Sequence, residues 1–62
     1  MNTKWFEISV ILKAENKKIR IKDTESLEEA ENKKREFLEA GVDVVVDEWV
    51  IKNERPVLVG QI

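Results

Sequence analysis

The side chains that most often carry enzymatic chemistry are missing from this chain. It has no histidine, cysteine or tyrosine, which leaves carboxylates and lysines as the only ready acids, bases and nucleophiles. Asp43, Asp47 and Glu48 could offer oxygen ligands to a hard cation such as magnesium or calcium, but their spacing matches no cation-binding loop. Zinc, which draws on cysteine and histidine, is poorly served. Glu7 is placed to pair across a sheet with Lys18 or Arg20, an interaction worth roughly 0.2–1 kcal/mol. The inventory therefore points to a non-enzymatic protein with no cofactor and no metal. Recognition is better supported: Trp5 beside Lys18, Arg20 and Lys22 combines a stacking ring with a row of bases, as single-strand nucleic-acid binders do. Against that, the net charge is −2 rather than basic, and basicity of the whole domain is the usual footprint of such binders.

To set Trp5 beside those bases the chain must build a sheet. In "KWFEISVILK", residues 4–13, Phe6, Ile8, Val10 and Leu12 alternate, the period of a strand, here expected from Thr3 to Leu12. The opposite side carries Trp5 and Ile11 beside Glu7 and Ser9, so both faces are partly apolar. "KAEN" reads as a turn, with Asn16 suited to a left-handed position. "KKIRIKD" is a second strand, with Ile19 and Ile21 facing one way and Lys18, Arg20 and Lys22 the other. Ser26-Leu27-Glu28-Glu29 matches the S-x-x-E capping box, and opens a helix that ends at Ala40 because Gly41 suits a left-handed position beyond it. Leu27, Ala30, Phe37 and Leu38 make an apolar stripe with Lys34 in its gap. Glu29–Lys33 and Glu31–Arg35 are expected as i,i+4 pairs on the wet side.

Residues 42–52, "VDVVVDEWVIK", form a third strand in which Val42, Val44 and Val46 alternate before the phase breaks. A β-bulge at Asp47-Glu48 would bring Trp49 and Ile51 back to the valine face; without one they join Val45 on the other. The bulge is the favoured reading. "NERP" is a turn, and "PVLVGQI" a last strand that opens with Pro56, where proline is tolerated.

The order β-β-α-β-β gives the expected fold class, α+β: one helix packed on a four-stranded antiparallel sheet of spatial order 2-1-3-4, with a right-handed split β-α-β crossover. The lysine-rich second strand then lies at one edge, where charge deters edge-to-edge pairing. The fourth strand is the other edge, and residues 57–62 carry no charged side chain. The helix covers one face, and leaves Trp5, Ile11 and Val45 on the other.

Residues 1–62 are read as a single domain. A domain of this size buries only about 60% of its unfolded surface, so a supplement to the core is expected, and with no cysteine or zinc ligands the remaining common one is self-association. Charge is uneven: residues 13–22 hold five bases and one acid, residues 23–48 ten acids and three bases. The bland explanation is a solvated helix beside a lysine-guarded strand. No secretory signal is read at the start of the chain, and no apolar run approaches the roughly 18 residues of a membrane span. The expectation is a cytoplasmic protein with no membrane partner, and the lack of cysteine suits a reducing compartment.

Two family resemblances each cover about half the chain. "KWFEISV…KKIRIKD…SLEEAENKKREFL", within residues 4–38, resembles the arm-type DNA-binding domain of phage integrases in its aromatic hairpin, basic residues and following helix; that resemblance implies DNA binding. The family has three strands before its helix, and the hairpin after Gly41 departs from it. "EEAENKKREFLEAGVDVVV…RPVLVGQI" is similar to the central part of peptidoglycan-binding SPOR domains at Ala30, Leu38, Gly41 and the terminal "VLVG"; the second helix of that family is missing here.

The resulting expectation is a small interaction protein, homodimeric, that binds a macromolecular partner, with a size that suits a phage or mobile-element product. The candidate binding face is Trp5, Ile11, Lys18, Arg20 and Lys22, and the candidate pairing edge is Val57, Leu58 and Val59. Nucleic acid is the alternative partner.

Overall fold

Each expected element forms in the computed structural model, which describes residues 3–62. Strand β1 (Lys4–Leu12) passes through a 3-10 turn at Lys13–Glu15 into β2 (Lys17–Thr24). Helix α1 (Leu27–Glu39) follows, then β3 (Val44–Lys52) and β4 (Arg55–Gln61). The strands make one sheet of order β2-β1-β3-β4, with every neighbouring pair antiparallel. One helix therefore lies on a four-stranded antiparallel sheet, as the alternation of apolar residues predicts.

The junctions follow from local chemistry. Asn16 sits at φ 54°, the left-handed position expected of it, and its N–H donates to the Lys13 carbonyl at 3.1 Å. Ser26 caps α1, its hydroxyl accepting from the Glu29 N–H at 3.2 Å. At the other end Gly41 takes φ +77°. Its N–H reaches the Leu38 carbonyl at 3.0 Å, and the Val42 N–H reaches the Phe37 carbonyl at 2.9 Å. These two bonds close the last turn in the Schellman pattern. Val42 is thereby spent on the helix end, which is why β3 begins at Val44 rather than at Val42. The β3–β4 connection is a two-residue turn with positive φ at both Asn53 (53°) and Glu54 (63°), the hand that matches strand twist.

The core is small. Phe6 and Ile8 of β1, Val46 of β3 and Ala30 of α1 are buried, with Phe37, Val44 and Ile62 packed against them. The helix stripe is only half used, because Leu27 and Leu38 remain about half exposed. The expected i,i+4 pairs also give way: Glu29 is held by Lys22 across to β2, Lys33 pairs with Glu36 at 3.3 Å, and Arg35 bonds the Asn32 side chain. The link to β2 ties helix to sheet, which a pair within one helix could not do.

Two bulges set the registers, and neither is at Asp47-Glu48. The β1–β3 pairing runs unbroken from Lys4↔Val50 to Val10↔Val44. The extra residues lie on the two edge strands. Ile21 is skipped between Ile8↔Lys22 and Ser9↔Arg20, and Val59 is skipped between Glu48↔Gly60 and Trp49↔Leu58. Directly opposed residues share a face, so Trp49 stays on the helix-free side with Trp5 and Val45. The expected return of Trp49 and Ile51 to the valine face is overturned.

Candidate functional site

The registers order the helix-free face into rows that cross the strands. One row is Arg20–Ser9–Val45, the next Asp23–Glu7–Asp47–Gln61, and the third Trp5–Trp49–Leu58. Three carboxylates thus stand side by side between an apolar row and a row led by a base. Like charges directly opposed across strands destabilise a sheet, and two bases answer them. Lys18 Nζ reaches over β1 to Asp47 Oδ2 at 2.6 Å, while Arg20 lies 3.8 Å from Glu7 and 3.9 Å from Asp23. The long stem of Lys18 lies along the sheet with its charged head on the acid. The centre of the face is consequently not open: Ser9 is 0% and Asp47 3% exposed, though no helix covers either. The Ser9 hydroxyl has no hydrogen-bond partner there.

Beyond the acidic row the face changes character. The indoles of Trp5 and Trp49 stack with ring centroids 6.2 Å apart and planes 8° from parallel. Both are half-buried, and the Trp49 Nε1 is buried without a hydrogen-bond partner. With Pro56, Glu7, Asp23 and Arg20 they line a shallow hollow of about 320 Å³.

The expected binding residues are only partly brought together. Trp5, Ile11, Lys18 and Arg20 share the helix-free face, but Ile11 and Lys18 are opposed to each other, rows away from Trp5. Lys22 leaves the group altogether. The bulge at Ile21 sets it opposite Ile8, on the helix side, where it pairs with Glu29. That pair, with a hydrogen bond from Thr24 Oγ1 at 3.1 Å, holds the Glu29 carboxyl below its usual range. Asp43, Asp47 and Glu48 are each engaged by a different lysine, Lys13 at 3.4 Å, Lys18 at 2.6 Å and Lys4 at 2.9 Å, and do not converge on a common point. Sequence reading missed Trp49, Pro56 and Asp23. The signal for Trp49 was present, since both tryptophans fall off the main apolar phase of their strands.

The second candidate surface is the β4 edge. Val57, Leu58 and Val59 are 39%, 51% and 57% exposed. The two-residue turn makes Lys52 and Arg55 a hydrogen-bonded pair; strand alternation then turns Val57 N–H toward β3 and Leu58 N–H outward. Pro56, which has no N–H, occupies the other outward position before the bulge, where its loss costs nothing.

Among the described residues no helix is long and apolar enough to cross a membrane. Compared with known proteins, the chain matches no family model, no curated protein and no solved structure, so the resemblances to the integrase arm domain and the SPOR domain gain no support.

Proposed function

We propose that this protein is a non-enzymatic interaction protein that works as a homodimer, with two copies joined along their β4 edges and a macromolecular partner bound by the assembly. The observation that carries the reading is the β4 edge itself: three consecutive exposed apolar residues on a strand whose outer side is unpaired, with no charged side chain from Pro56 to the end of the sequence. Soluble proteins ordinarily guard such edges with charge or cover. A second copy is the occupant that fits, because an uncharged edge is complementary to its own image and antiparallel pairing about a two-fold axis closes the assembly. It also supplies the supplement that so small a core calls for. A cytoplasmic setting suits a chain without cysteine.

Light scattering across a concentration series tests this. The particle mass is expected to climb from 7.3 kDa toward twice that value, and the melting temperature to rise with protein concentration. A 7.3 kDa particle at high micromolar concentration overturns the dimer. Nucleic acid is the less supported partner, because Lys18 and Arg20 are already committed to acids of their own face and Lys22 lies on the other. Gel retardation at low salt that is lost when the three are replaced by alanine would reinstate it.

A further inference from the structure

We infer that the hollow between the tryptophan row and the acidic row is a receptor for a cationic side chain, and that its occupant is an arginine carried on an extended peptide segment of a partner protein. Pro56 of β4 borders the hollow, but an arginine can bind there whether or not two copies pair.

Charge complementarity selects the occupant. The hollow is lined by two carboxylates, Glu7 and Asp23, and a single base, Arg20. That guanidinium is 3.8 and 3.9 Å from the two acids, within reach of charge but too far to hydrogen-bond either. A carboxylate accepts up to about four hydrogen bonds, so both acids retain capacity for a donor. Lys18, the other base of this face, is spent on Asp47. On the opposite wall the indoles of Trp5 and Trp49 lie nearly parallel, with Pro56 beside them. Indole is the strongest of the aromatic faces for a cation, and arginine the side chain most often found on it. A planar guanidinium with five donors can lie on the rings while it turns its edge to the carboxylates. An anionic ligand would meet two acids against one base, and a neutral apolar one would strand them.

The two tryptophans are the chain's only ones, and it has no tyrosine, so intrinsic fluorescence reads this site directly. The probe is a blocked peptide, acetyl-Gly-Arg-Gly-Arg-Gly-amide, titrated against the intact protein at low salt. A matched peptide with citrulline for arginine keeps the shape and removes the charge. The expected result is a saturable fluorescence change with the arginine peptide, at least tenfold weaker with citrulline. Glu7→Gln and Asp23→Asn should each weaken the arginine response severalfold, and the citrulline comparison holds even if a variant folds poorly. Equal responses to the two peptides overturn the inference, as does no response to either. A saturable response to oligothymidylate in place of the peptide overturns it in favour of nucleic acid. Fluorescence that changes with protein concentration alone, and still does so in Leu58→Pro, whose β4 edge has lost its outward amide, overturns it in favour of a second copy seated on the indoles.

Discussion

The two edges of the sheet face the same backbone problem and meet it with opposite chemistry. Both β2 and β4 present an unpaired side to solvent, and both carry one bulge, at Ile21 and at Val59. In β2 five of eight residues are charged, Lys17, Lys18, Arg20, Lys22 and Asp23; in β4 Arg55 alone is, at the start of the strand. The bases of β2 also bind the edge to the rest of the molecule. Lys18 crosses β1 to Asp47, Arg20 reaches Glu7, and Lys22 reaches up to Glu29. Among the described residues no comparable side-chain tie holds Val57, Leu58 and Val59, which stay exposed. What separates a guarded edge from an unguarded one here is therefore the reach of the side chains, since strand length and bulge content are alike.

The largest effect is expected where the open edge is closed. Leu58→Pro removes an outward amide and leaves the β3–β4 bonds in place, so the particle should fall to the 7.3 kDa of a single chain while the circular dichroism spectrum persists. A dimer that survives the substitution would move the interface away from β4. Next comes the guarded side. Lys18→Met leaves the buried Asp47 carboxylate without its partner, and a hydrogen bond to a charged group contributes about 1.5–3 kcal/mol. Urea denaturation at fixed protein concentration should show a loss of that order, and combination with Asp47→Asn should recover part of it. An unchanged midpoint would reduce Lys18 to an edge guard and nothing more.

A smaller change of opposite sign is expected at the turn that delivers β4. Glu54 sits at φ 63°, and a left-handed conformation costs a residue with a Cβ roughly 1–2 kcal/mol. Glu54→Gly produces the favoured Asn-Gly pair of this turn, and should stabilise by about 1 kcal/mol after glycine's own entropic loss. Thermal melts would show the gain. The smallest effect concerns the tie from β2 to the helix. The hydrogen bond from Lys22, then that from Thr24, lowers the Glu29 carboxyl below its ordinary 4.5. A lowered folded value means stability that is present above the unfolded value and lost as pH falls through the folded one. The melting temperature should decline as Glu29 protonates in acid, and Glu29→Gln should flatten part of that decline. Parallel slopes in the two proteins would show that the exposed pair contributes nothing measurable.

Most of the fold was legible because it was written locally. The alternation of Phe6, Ile8 and Val10, the Ser26 cap and Gly41 each act within a few residues, and two hairpins joined by one helix suggest the strand order, with which the charged β2 edge agrees. The bulges were not legible. Register is a property of two strands, and one extra residue in either partner shifts the pairing by the same amount. The broken phase of β3 therefore invited a bulge at Asp47-Glu48, whereas the strand is regular and its off-phase Trp49 is matched by the off-phase Trp5 forty-odd residues away in sequence. The candidate site suffered most from this. The skipped Ile21 removed Lys22 from the helix-free face, and the acidic row of Asp23, Glu7 and Asp47 emerges only once three strands are in register.

The stacked indoles lie on the seam between the two halves of the molecule, and this bears on the order in which the chain folds. Each hairpin closes through a short turn, at Lys13–Asn16 and at Asn53–Glu54, and hairpins form within about 1–10 μs. The pairing of β1 with β3 joins residues far apart in sequence, so its loop-closure entropy falls due before its contacts repay it. Docking one hairpin on the other is the slow step on this account, and Trp5 meets Trp49 only when it is complete. In a rapid-mixing experiment the amide circular dichroism should recover first and the indole signal last. Such a lag would time the closure of the sheet from within.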